Sequence, residues 1–351
     1  MAVNLAACVT AFLVSFLILP VIIKFSHKKN IGDAPGRRKV HKKVTPSLGG
    51  IAIFSGFAMA SMFWMDYSQW DSVRFLLASI LIVFVIGVRD DLVPFRALHK
   101  LFGQMVAVVI LLFSGIYIGS LYGFLGVYEI PMEVGYILTG FTIIVVTNSY
   151  NLIDGLDGLA GSIGLIALIA FGTWFYLVDD FVFALFSFAM TGGLLAFLVF
   201  NWEPSEIFMG DTGAMVIGML LAVLAVHFLD VNESLSDLHP VKFMAPIASA
   251  AAFMIVPLAD TLRIVILRSS KGKSPFSPDK SHIHHAIMRL GVTHSRTAMI
   301  LGLVNASFIG IAYLLRDLGD KFMLPIIIVI SLTLSIILDR LIIKKLESKT
   351  N

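Results

Sequence analysis

The chain has 351 residues, of which 58% are hydrophobic and only 14% are charged, and its mean hydropathy is +0.91. This composition excludes a disordered, collagen-like or low-complexity chain, and it argues strongly against an ordinary soluble domain. The single cysteine, Cys8, lies in an apolar run, so neither a disulfide framework nor a cysteine-based metal site is available. The net charge of +3 is small, and its distribution along the chain is more informative than the total.

Long stretches of the chain contain no Asp, Glu, Lys or Arg, and eleven of them are candidates for transmembrane helices. They are 1–23, 44–65, 75–88, 101–128, 134–153, 158–178, 181–202, 212–229, 243–259, 297–315 and 322–338. A helix needs roughly 20 apolar residues to cross a bilayer core, and most of these runs are long enough. The sequence therefore predicts an all-α, polytopic integral membrane protein with about 11 transmembrane helices, folded as one domain over residues 1–351.

Basic residues lie predominantly on one side of this arrangement. If the runs cross the membrane alternately, 22 of the 26 Lys and Arg residues fall on the side that contains 24–43, 89–100, 260–296 and the C-terminal tail. The opposite side holds four basic residues and eleven acidic ones. Because cytoplasmic loops carry an excess of Lys and Arg, this bias predicts an N-terminus outside and a C-terminus in the cytoplasm.

The first predicted cytoplasmic loop is basic. It contains the segment Arg37–Lys43, which includes His41, and it leads into Gly49 and Gly50. Clustered cations and glycine backbone amides suit phosphate binding. The bias towards positive charge in the cytoplasm would also explain the cations alone, so both interpretations stay open.

Acidic and amide side chains collect at the same predicted surface. Asp90 and Asp91 end the third run, and Asp211 precedes the eighth. Another group recurs every three residues at the end of the fifth run, and its members are Asn148, Asn151, Asp154 and Asp157. No Lys or Arg lies between residues 101 and 202, so the Asp154 and Asp157 carboxylates should attract a cation from solution, and Asp211 has no basic residue near it in the sequence either. Such oxygen ligands suit Mg²⁺, with Mn²⁺ as an alternative, because Mg²⁺ takes one or two carboxylates and completes its shell with water and substrate phosphates.

Three histidines, His282, His284 and His285, lie in the last predicted cytoplasmic loop. A zinc site is one interpretation, but adjacent histidines seldom converge on one ion, and no cysteine or carboxylate is spaced to complete the set. We favour hydrogen bonds from these imidazoles to a sugar or a diphosphate. Acids, cations and histidines at one face predict a Mg²⁺-dependent reaction between a soluble and a lipid-borne phosphate compound.

Five motifs occur in order between roughly residues 20 and 300. They are Arg38-Lys39-Val40-His41 with Pro46-Ser47-Leu48-Gly49-Gly50, the pair Asp90-Asp91, Asn151-Leu152-Ile153-Asp154-Gly155-Leu156-Asp157-Gly158-Leu159, Phe208-Met209-Gly210-Asp211, and Asp279-Lys280-Ser281-His282-Ile283-His284-His285. In this order they resemble the polyprenyl-phosphate N-acetylhexosamine-1-phosphate transferases, which are of the glycosyltransferase 4 type. One motif alone would be weak, whereas five in order are specific.

The resemblance implies transfer of a sugar 1-phosphate from a UDP-sugar to undecaprenyl phosphate, with release of UMP, at the cytoplasmic face of a bacterial plasma membrane. It implies that Asp211 is the principal Mg²⁺ ligand, with the Asn151 amide oxygen in the same shell. Asp90, Asp91 and Asp211 would be catalytic, with Asp90 and Asp91 beside the acceptor phosphate. The residues implied to bind substrate are His41, Lys100, Asn148, Asn151, Asp154, Asp157, His282, His284 and His285. The family also suggests a homodimer, and no nucleic-acid partner is expected.

The spacing of the histidines bears on the donor. The branch that uses UDP-N-acetylmuramoyl-pentapeptide for peptidoglycan usually has three consecutive histidines, whereas Ile283 separates His282 from His284 here. This form resembles the branch that uses UDP-N-acetylglucosamine and begins teichoic acid, O-antigen or related envelope polymers. The pentapeptide transferase stays open as an alternative.

Two alternatives come from other classes of protein. A secondary transporter is disfavoured, because its site would lie near the middle of the bilayer, where the charge-free runs leave almost nothing ionisable. A structural scaffold for envelope assembly leaves the clustered acids unexplained.

Overall fold

The computed structural model describes residues 1–29, 45–270, 272 and 282–350. In these residues the chain forms a bundle of α-helices, and an isolated antiparallel bridge joins Ser120 to Glu129. The helices are α1 (Ala2–Lys29), α2 (Gly49–Trp64), α3 (Trp70–Leu92), α4 (Ala97–Leu112), α5 (Met132–Ile153), α6 (Leu159–Leu177), α7 (Phe181–Asn201), α8 (Gly210–Ser234), α9 (Pro246–Phe253), α10 (Ile255–Ser269), α11 (Ile283–Arg289), α12 (His294–Leu314) and α13 (Asp320–Thr350).

Among the described residues, eight helices are long and apolar enough to cross a membrane, namely α1, α3, α5, α6, α7, α8, α12 and α13. The pair α9 and α10 passes the same test but is bent by 91°, and the apolar helices α2 and α4 have 16 residues each. Each of the eleven charge-free runs thus overlaps one helix or the bent pair. The prediction of an all-α, multi-pass membrane protein is confirmed, while the number of crossings and the orientation stay predictions.

The structure differs from the prediction after α4. This helix ends at Leu112, well short of the end of the predicted run 101–128. The residues that follow form a hairpin loop, in which the Leu121 N–H donates to the Tyr128 carbonyl over 2.8 Å. The second half of the predicted span was therefore wrong, because an apolar loop can lack charges as completely as a transmembrane helix does.

A second difference concerns the run 243–259. Its helix breaks at Met254, and the second piece, α10, continues through Asp260 to Ser269, where a loop was predicted. The acidic and basic side chains of this region therefore project from a helix. Their spacing is fixed by the helical repeat.

Helix α8 lies at the centre of the bundle. In its apolar window 83% of the residues are buried, the largest share among the candidate spans of the described residues, and α8 packs against α2, α3, α5, α6 and α9. Because a spanning helix satisfies its own backbone hydrogen bonds, these contacts are made by side chains along most of its length. The first turn of α8 is the exception, because backbone atoms there contact a neighbouring helix directly.

The start of α2 contacts the start of α8 directly. The Gly49 N–H donates to the Phe208 carbonyl over 3.0 Å, and the Gly50 N–H donates to the Met209 carbonyl over 2.8 Å. A Cβ on Gly50 would lie only 2.1 Å from the Gly213 nitrogen, so no larger residue fits there. The two backbones therefore meet without an intervening side chain.

Other polar contacts lie near the opposite ends of these helices. The His227 Nε2 atom, late in α8, is 2.7 Å from the Asp180 carboxylate before α7. Buried Asp320 accepts hydrogen bonds from the N–H groups of Ile247 and Ala248 in α9, over 3.3 and 2.7 Å. The residues from predicted inner and outer loops therefore collect at different ends of the bundle.

Candidate functional site

The first turn of α8 carries the centre of the candidate site. The Lys100 ammonium, in α4, lies between two carboxylates, with Nζ 3.0 Å from Asp211 Oδ1 and in direct contact with Asp90 Oδ2. Asn151, in the last turn of α5, donates from Nδ2 to Asp211 Oδ1 over 2.7 Å. Four helices therefore contribute one polar side chain each.

This arrangement corrects one expectation. Asp211 has no basic residue near it in the sequence, and residues 101–202 contain none, so the sequence suggested that Asp211 lacks a protein cation. Lys100 lies immediately before that interval, and the fold brings it to Asp90 and Asp211. For Asp211 the expectation was wrong, because distance along the chain does not measure distance between helices.

Asp91 holds the beginning of α8. Its Oδ1 accepts the Asp211 N–H over 2.7 Å, and its Oδ2 accepts the Thr212 N–H over 3.0 Å and the Thr212 hydroxyl. A carboxylate at this position satisfies free N–H groups and interacts favourably with the helix dipole. Gly210 makes room for it, because φ is +74° there and a Cβ would lie 2.7 Å from Asp91 Oδ2 and 2.1 Å from the Ser47 carbonyl oxygen. Asp91 therefore fixes the backbone from which the Asp211 side chain projects.

Asp90 is turned towards α4. Its side chain is buried, Oδ1 accepts the Phe95 N–H, and Oδ2 contacts Lys100. Asp90 thus ties the turn between α3 and α4 to the end of α3. The adjacent carboxylates Asp90 and Asp91 hold two different neighbouring helices.

The residues that recur every three positions at the end of α5 do not form one continuous surface. Asn148 bonds Gln104 of α4, with Nδ2 2.8 Å from Oε1, whereas Asn151 reaches Asp211. Asp154 follows the last residue of α5, and its carboxyl lies beside the Gly210 backbone N–H. The predicted spacing of three therefore distributes these residues over α4, α8 and the loop between α5 and α6.

Asp154 has an unusual protonation equilibrium. Burial, together with the negative charges of Asp211 and Asp91, raises the pKa of the Asp154 carboxyl from 3.8 to about 8. The carboxyl therefore carries a proton at neutral pH in the chain without a bound cation. Such a perturbed group in a polar cluster is a candidate for function.

Asp157 lies deeper in the protein. It is buried, and its Oδ2 is 3.4 Å from Nδ1 of His294, the first residue of α12. The next residue, Ser295, donates from its backbone N–H and its hydroxyl to Glu203, over 2.8 Å each. The start of α12 therefore joins the loop between α5 and α6 to the loop between α7 and α8. His294 and Glu203 were not among the predicted site residues, because neither belongs to a recognisable motif.

The histidine motif lies on the short helix α11, beside the loop between α5 and α6. His284 is 2% exposed, and its Nε2 is 3.2 Å from the position that a Cβ on Gly155 would occupy. Its ring stacks on His282, with centroids 5.6 Å apart, and is tilted against His285 at 4.4 Å. Burial and the charge of His285 lower the pKa of His284 to about 3. The His284 imidazole is therefore neutral at physiological pH.

Asp260 is the clearest residue that sequence reasoning missed. It is 1% exposed in α10, its Oδ2 is 2.8 Å from His282 Nδ1, and its Oδ1 accepts the Ile283 N–H over 2.8 Å. In the sequence it stands at the edge of an apolar run, where it was assigned to a loop. Only the continuation of α10 brings it under the histidine motif.

The predicted residues fall into two neighbouring groups, and two residues belong to neither of them. The residues around the start of α8 are Asp90, Asp91, Lys100, Asn151, Asp154 and Asp211. The residues at α11 and the start of α12 are Asp157, His282, His284 and His285. Asn148 faces Gln104, and His41 lies outside the described residues.

The donor set suits a hard cation. In the described parts of the chain, no three or more His, Cys, Asp or Glu side chains are arranged to hold a metal, and the three histidines form no such group. Mg²⁺ needs only one or two carboxylates. An ammonium already lies between the Asp90 and Asp211 carboxylates, so this position accepts positive charge. The oxygen donors there fit Mg²⁺.

Known proteins resemble the chain over most of its length. The profile of glycosyl transferase family 4 matches residues 73–229, from α3 into α8. The undecaprenyl-phosphate alpha-N-acetylglucosaminyl 1-phosphate transferase of Yersinia pestis is 31% identical over 296 residues, which cover 83% of this chain and 78% of that protein. A probable undecaprenyl-phosphate N-acetylglucosaminyl 1-phosphate transferase of Bacillus subtilis (strain 168) is 30% identical over 344 residues, which cover 94% and 91%. The alpha-N-acetylglucosaminyl enzyme of Salmonella typhi is 30% identical over 317 residues, which cover 88% and 82%.

Proposed function

Because the chain belongs to glycosyl transferase family 4, we propose that it transfers N-acetylglucosamine 1-phosphate from UDP-N-acetylglucosamine to undecaprenyl phosphate and releases UMP. The names of its relatives support both substrates. The observation that carries the proposal is the Lys100 ammonium between Asp90 and Asp211, because a reaction between two phosphate compounds needs positive charge where they meet.

The proposed chemistry is a single displacement. An oxygen of the lipid phosphate attacks the β-phosphorus of the UDP-sugar, a new P–O bond forms, and the bond from that phosphorus to UMP breaks. A two-step route would first transfer the phosphoryl group to an aspartate. Both oxygens of Asp90 and both of Asp91 already accept contacts from the protein, which supports direct attack.

The protein's own groups have separate roles in this proposal. Lys100 binds a substrate phosphate oxygen and reduces the repulsion between the two anions. Asp90 positions the acceptor, since a phosphate monoester with a second pKa near 6 is already largely ionised at neutral pH and gains little from a base. Asp91 acts through Asp211, whose backbone it holds.

Mg²⁺, with Mn²⁺ as the alternative, is proposed to bind at Asp211 with Asn151 beside it. When bound, the ion would neutralise charge on the diphosphate and on the departing UMP. Asn151 directs its amide nitrogen to Asp211, and coordination through its amide oxygen stays a prediction.

The donor is proposed to lie between the loop that joins α5 to α6 and the helix α11. Asp154 and Asp157 come from that loop, and the His284 Nε2 atom lies 3.2 Å from the position that a Cβ on Gly155 would occupy. A neutral imidazole can both donate and accept, which suits a sugar hydroxyl or a phosphate oxygen. We propose that this reaction takes place at a bacterial plasma membrane as the first step of an envelope polymer. The excess of basic residues in the predicted inner loops supports the cytoplasmic face as its location.

Purified protein supplied with UDP-N-acetylglucosamine, undecaprenyl phosphate and Mg²⁺ should release UMP, and EDTA should stop the release. Asp211→Asn should lower the rate by about 100-fold or more, because it removes the charged metal ligand. The matched control is Asp179→Asn, an exposed acid at the other end of the bundle, which should keep the wild-type rate. Release of UMP with the muramoyl-pentapeptide donor and none with UDP-N-acetylglucosamine would assign the chain to the other branch. An active Asp211→Asn variant would remove Asp211 from the metal site.

A further inference from the structure

We infer that Asp260 is a positioning residue for the donor site, which holds His282 and helix α11 so that the histidine motif faces the donor. The inference rests on the proposed function, because it assumes that the histidines contact the UDP-sugar. It concerns a residue of α10 that contacts the motif from behind and reaches no proposed reacting group itself.

The two oxygens of Asp260 have one task each. Oδ1 accepts the N–H of Ile283, the first residue of α11, over 2.8 Å. The first N–H groups of a helix have no partner within the helix, so this bond fixes where the seven-residue helix begins. Oδ2 lies 2.8 Å from His282 Nδ1 and fixes the rotation of the imidazole.

The contact also determines which ring nitrogen is left for a ligand. A carboxylate can only accept, so the Nδ1 atom of His282 donates to Asp260. The opposite nitrogen, Nε2, then points away from α10. A carboxylate behind a functional imidazole commonly sets the orientation and the tautomer in this way.

The effect extends to the centre of the motif. The His284 ring stacks on His282 with an interplanar angle of 11°, and its Nε2 lies near Gly155. A rotation of His282 or a shift of the first turn of α11 would therefore move His284 relative to the loop that carries Asp154. Burial makes such a shift unfavourable while Asp260 is charged, since its carboxylate needs both partners.

Helix α10, which carries Asp260, is itself held by a contact with α13. One turn further along, Arg263 contacts Asp339 of α13, with Nη2 2.6 Å from Oδ1. The carboxylate thus projects from a helix that is held on its other side. The contact with α13 therefore helps to hold α10 in place, and α10 in turn holds the histidines through Asp260.

The test compares Asp260→Ala and Asp260→Asn with the wild type. The alanine variant loses both contacts, whereas in the asparagine variant the amide oxygen can still accept the Ile283 N–H and the amide nitrogen can only donate to His282 Nδ1, which imposes the other tautomer on that imidazole. We expect the KM for UDP-N-acetylglucosamine to rise about tenfold in Asp260→Ala, as when the carboxylate behind a metal-bound imidazole is removed, and by less in Asp260→Asn. The KM for undecaprenyl phosphate should stay within about twofold of wild type. In a His282→Ala background, Asp260→Ala should have a smaller further effect on the donor KM than in the wild type, because only the contact with the Ile283 N–H is left to lose.

The matched control is Asp320→Ala, which removes a buried carboxylate that accepts two N–H groups at the start of α9, away from the histidines. It should lower the melting temperature as Asp260→Ala does and leave both KM values unchanged. If Asp260→Ala does not fold, the isosteric Asp260→Asn carries the comparison. An unchanged donor KM in a folded Asp260 variant would overturn the inference.

A second readout separates this inference from the proposed function. UDP-N-acetylglucosamine should raise the melting temperature of the wild type by mass action, without any turnover, and raise that of the Asp260 variants less. A wild type that neither releases UMP nor gains stability from the nucleotide would refute the proposed function. A wild type that does both, with Asp260 variants that gain equally, would refute only the role of Asp260.

Discussion

The carboxylates around the start of α8 do not all contact the same groups, and these contacts give each carboxylate a different role in the site. Asp90 contacts an ammonium, Asp91 accepts backbone amides, and Asp211 accepts the Asn151 amide. Burial, together with the negative charges of Asp211 and Asp91, raises the pKa of the Asp154 carboxyl to about 8. The chain without a bound cation therefore reduces its own repulsion by keeping a proton on Asp154.

This proton gives the protein's stability a dependence on pH. The pKa of the Asp154 carboxyl is 3.8 in the unfolded chain and about 8 in the folded chain. Between these two pH values the folded chain therefore binds more protons than the unfolded chain. Its contribution to stability is present below the lower pKa and is lost as the pH rises through about 8. Asp154→Asn mimics the protonated carboxyl. We expect its melting temperature in EDTA to fall less than that of the wild type between about pH 6 and 9.

Scanning fluorimetry in detergent measures this difference. Asp179→Asn, at the exposed turn before α7, should follow the wild-type curve. Mg²⁺ should stabilise the wild type more at the upper end of the pH range than at the lower end, because a bound cation takes the place of the proton. Parallel curves for Asp154→Asn and the wild type would contradict the assignment.

At the scale of single residues, the sequence located acids that the structure brings together. Asp90, Asp91 and Asp211 stand at the ends of charge-free runs, and helix ends on one side of a membrane necessarily share a surface. The contacts of Asp260 could not be predicted in the same way. They depend on a helix that continues past its apolar run and on a bend of 91° before it, and both are decided by tertiary packing.

At the scale of elements, the beginning of α8 is held by contacts that tolerate few substitutions. Asp91 caps it from α3, α2 meets it backbone to backbone, and Gly210 supplies the positive φ that lets Asp91 approach. Charge-free runs predicted that these helices exist. They could not predict the short α4 or the hairpin after it, because apolarity alone does not distinguish a helix from a loop packed on the protein.

Gly210→Ala should disturb this junction. An alanine at position 210 would have an unfavourable positive φ, and its Cβ would lie 2.1 Å from the Ser47 carbonyl oxygen. We expect a loss of about 1–3 kcal/mol in the free energy of unfolding. UMP release should fall by more than the loss of folded protein explains, because the position of Asp211 depends on the same turn. Denaturant titration and the UMP assay measure the two effects.

Gly310→Ala is the matched control for this substitution. Gly310 lies within α12, and a Cβ there meets nothing within 4 Å. Alanine is favoured over glycine in a helix by about 1 kcal/mol, so this variant should be at least as stable as the wild type and fully active. Equal behaviour of the two variants would show that the start of α8 is not specially constrained.

At the scale of the whole molecule, the bundle places its polar groups at two ends. The candidate site includes the ends of α3 and α5 and the starts of α4 and α8, whereas the contact between Asp180 and His227 involves the start of α7 and the last third of α8. The alternation of basic and acidic loops predicted this separation. Which end faces the cytoplasm follows from the count of Lys and Arg alone.

Cysteine labelling tests the orientation. In a Cys8→Ser background, Arg96→Cys places a thiol at the exposed turn between α3 and α4, and Leu238→Cys places one at a loop residue that is 93% exposed. A membrane-impermeant maleimide added to intact cells should label only Leu238→Cys. Arg96→Cys should react after the membrane is opened. The reverse pattern would invert the predicted topology and move the donor site to the wrong compartment for a nucleotide substrate.

The contact between the starts of α2 and α8 bears on how freely this enzyme could be redesigned. Two main chains touch there, at Gly50 and Gly213, so the spacing between these segments is set by peptide groups and not by side-chain volume. Exchanges in the surrounding lining should therefore alter which sugar is accepted without changing the separation of the segments. A library aimed at new donor specificity would do best to randomise α11 and the turn before α6 while leaving this junction untouched.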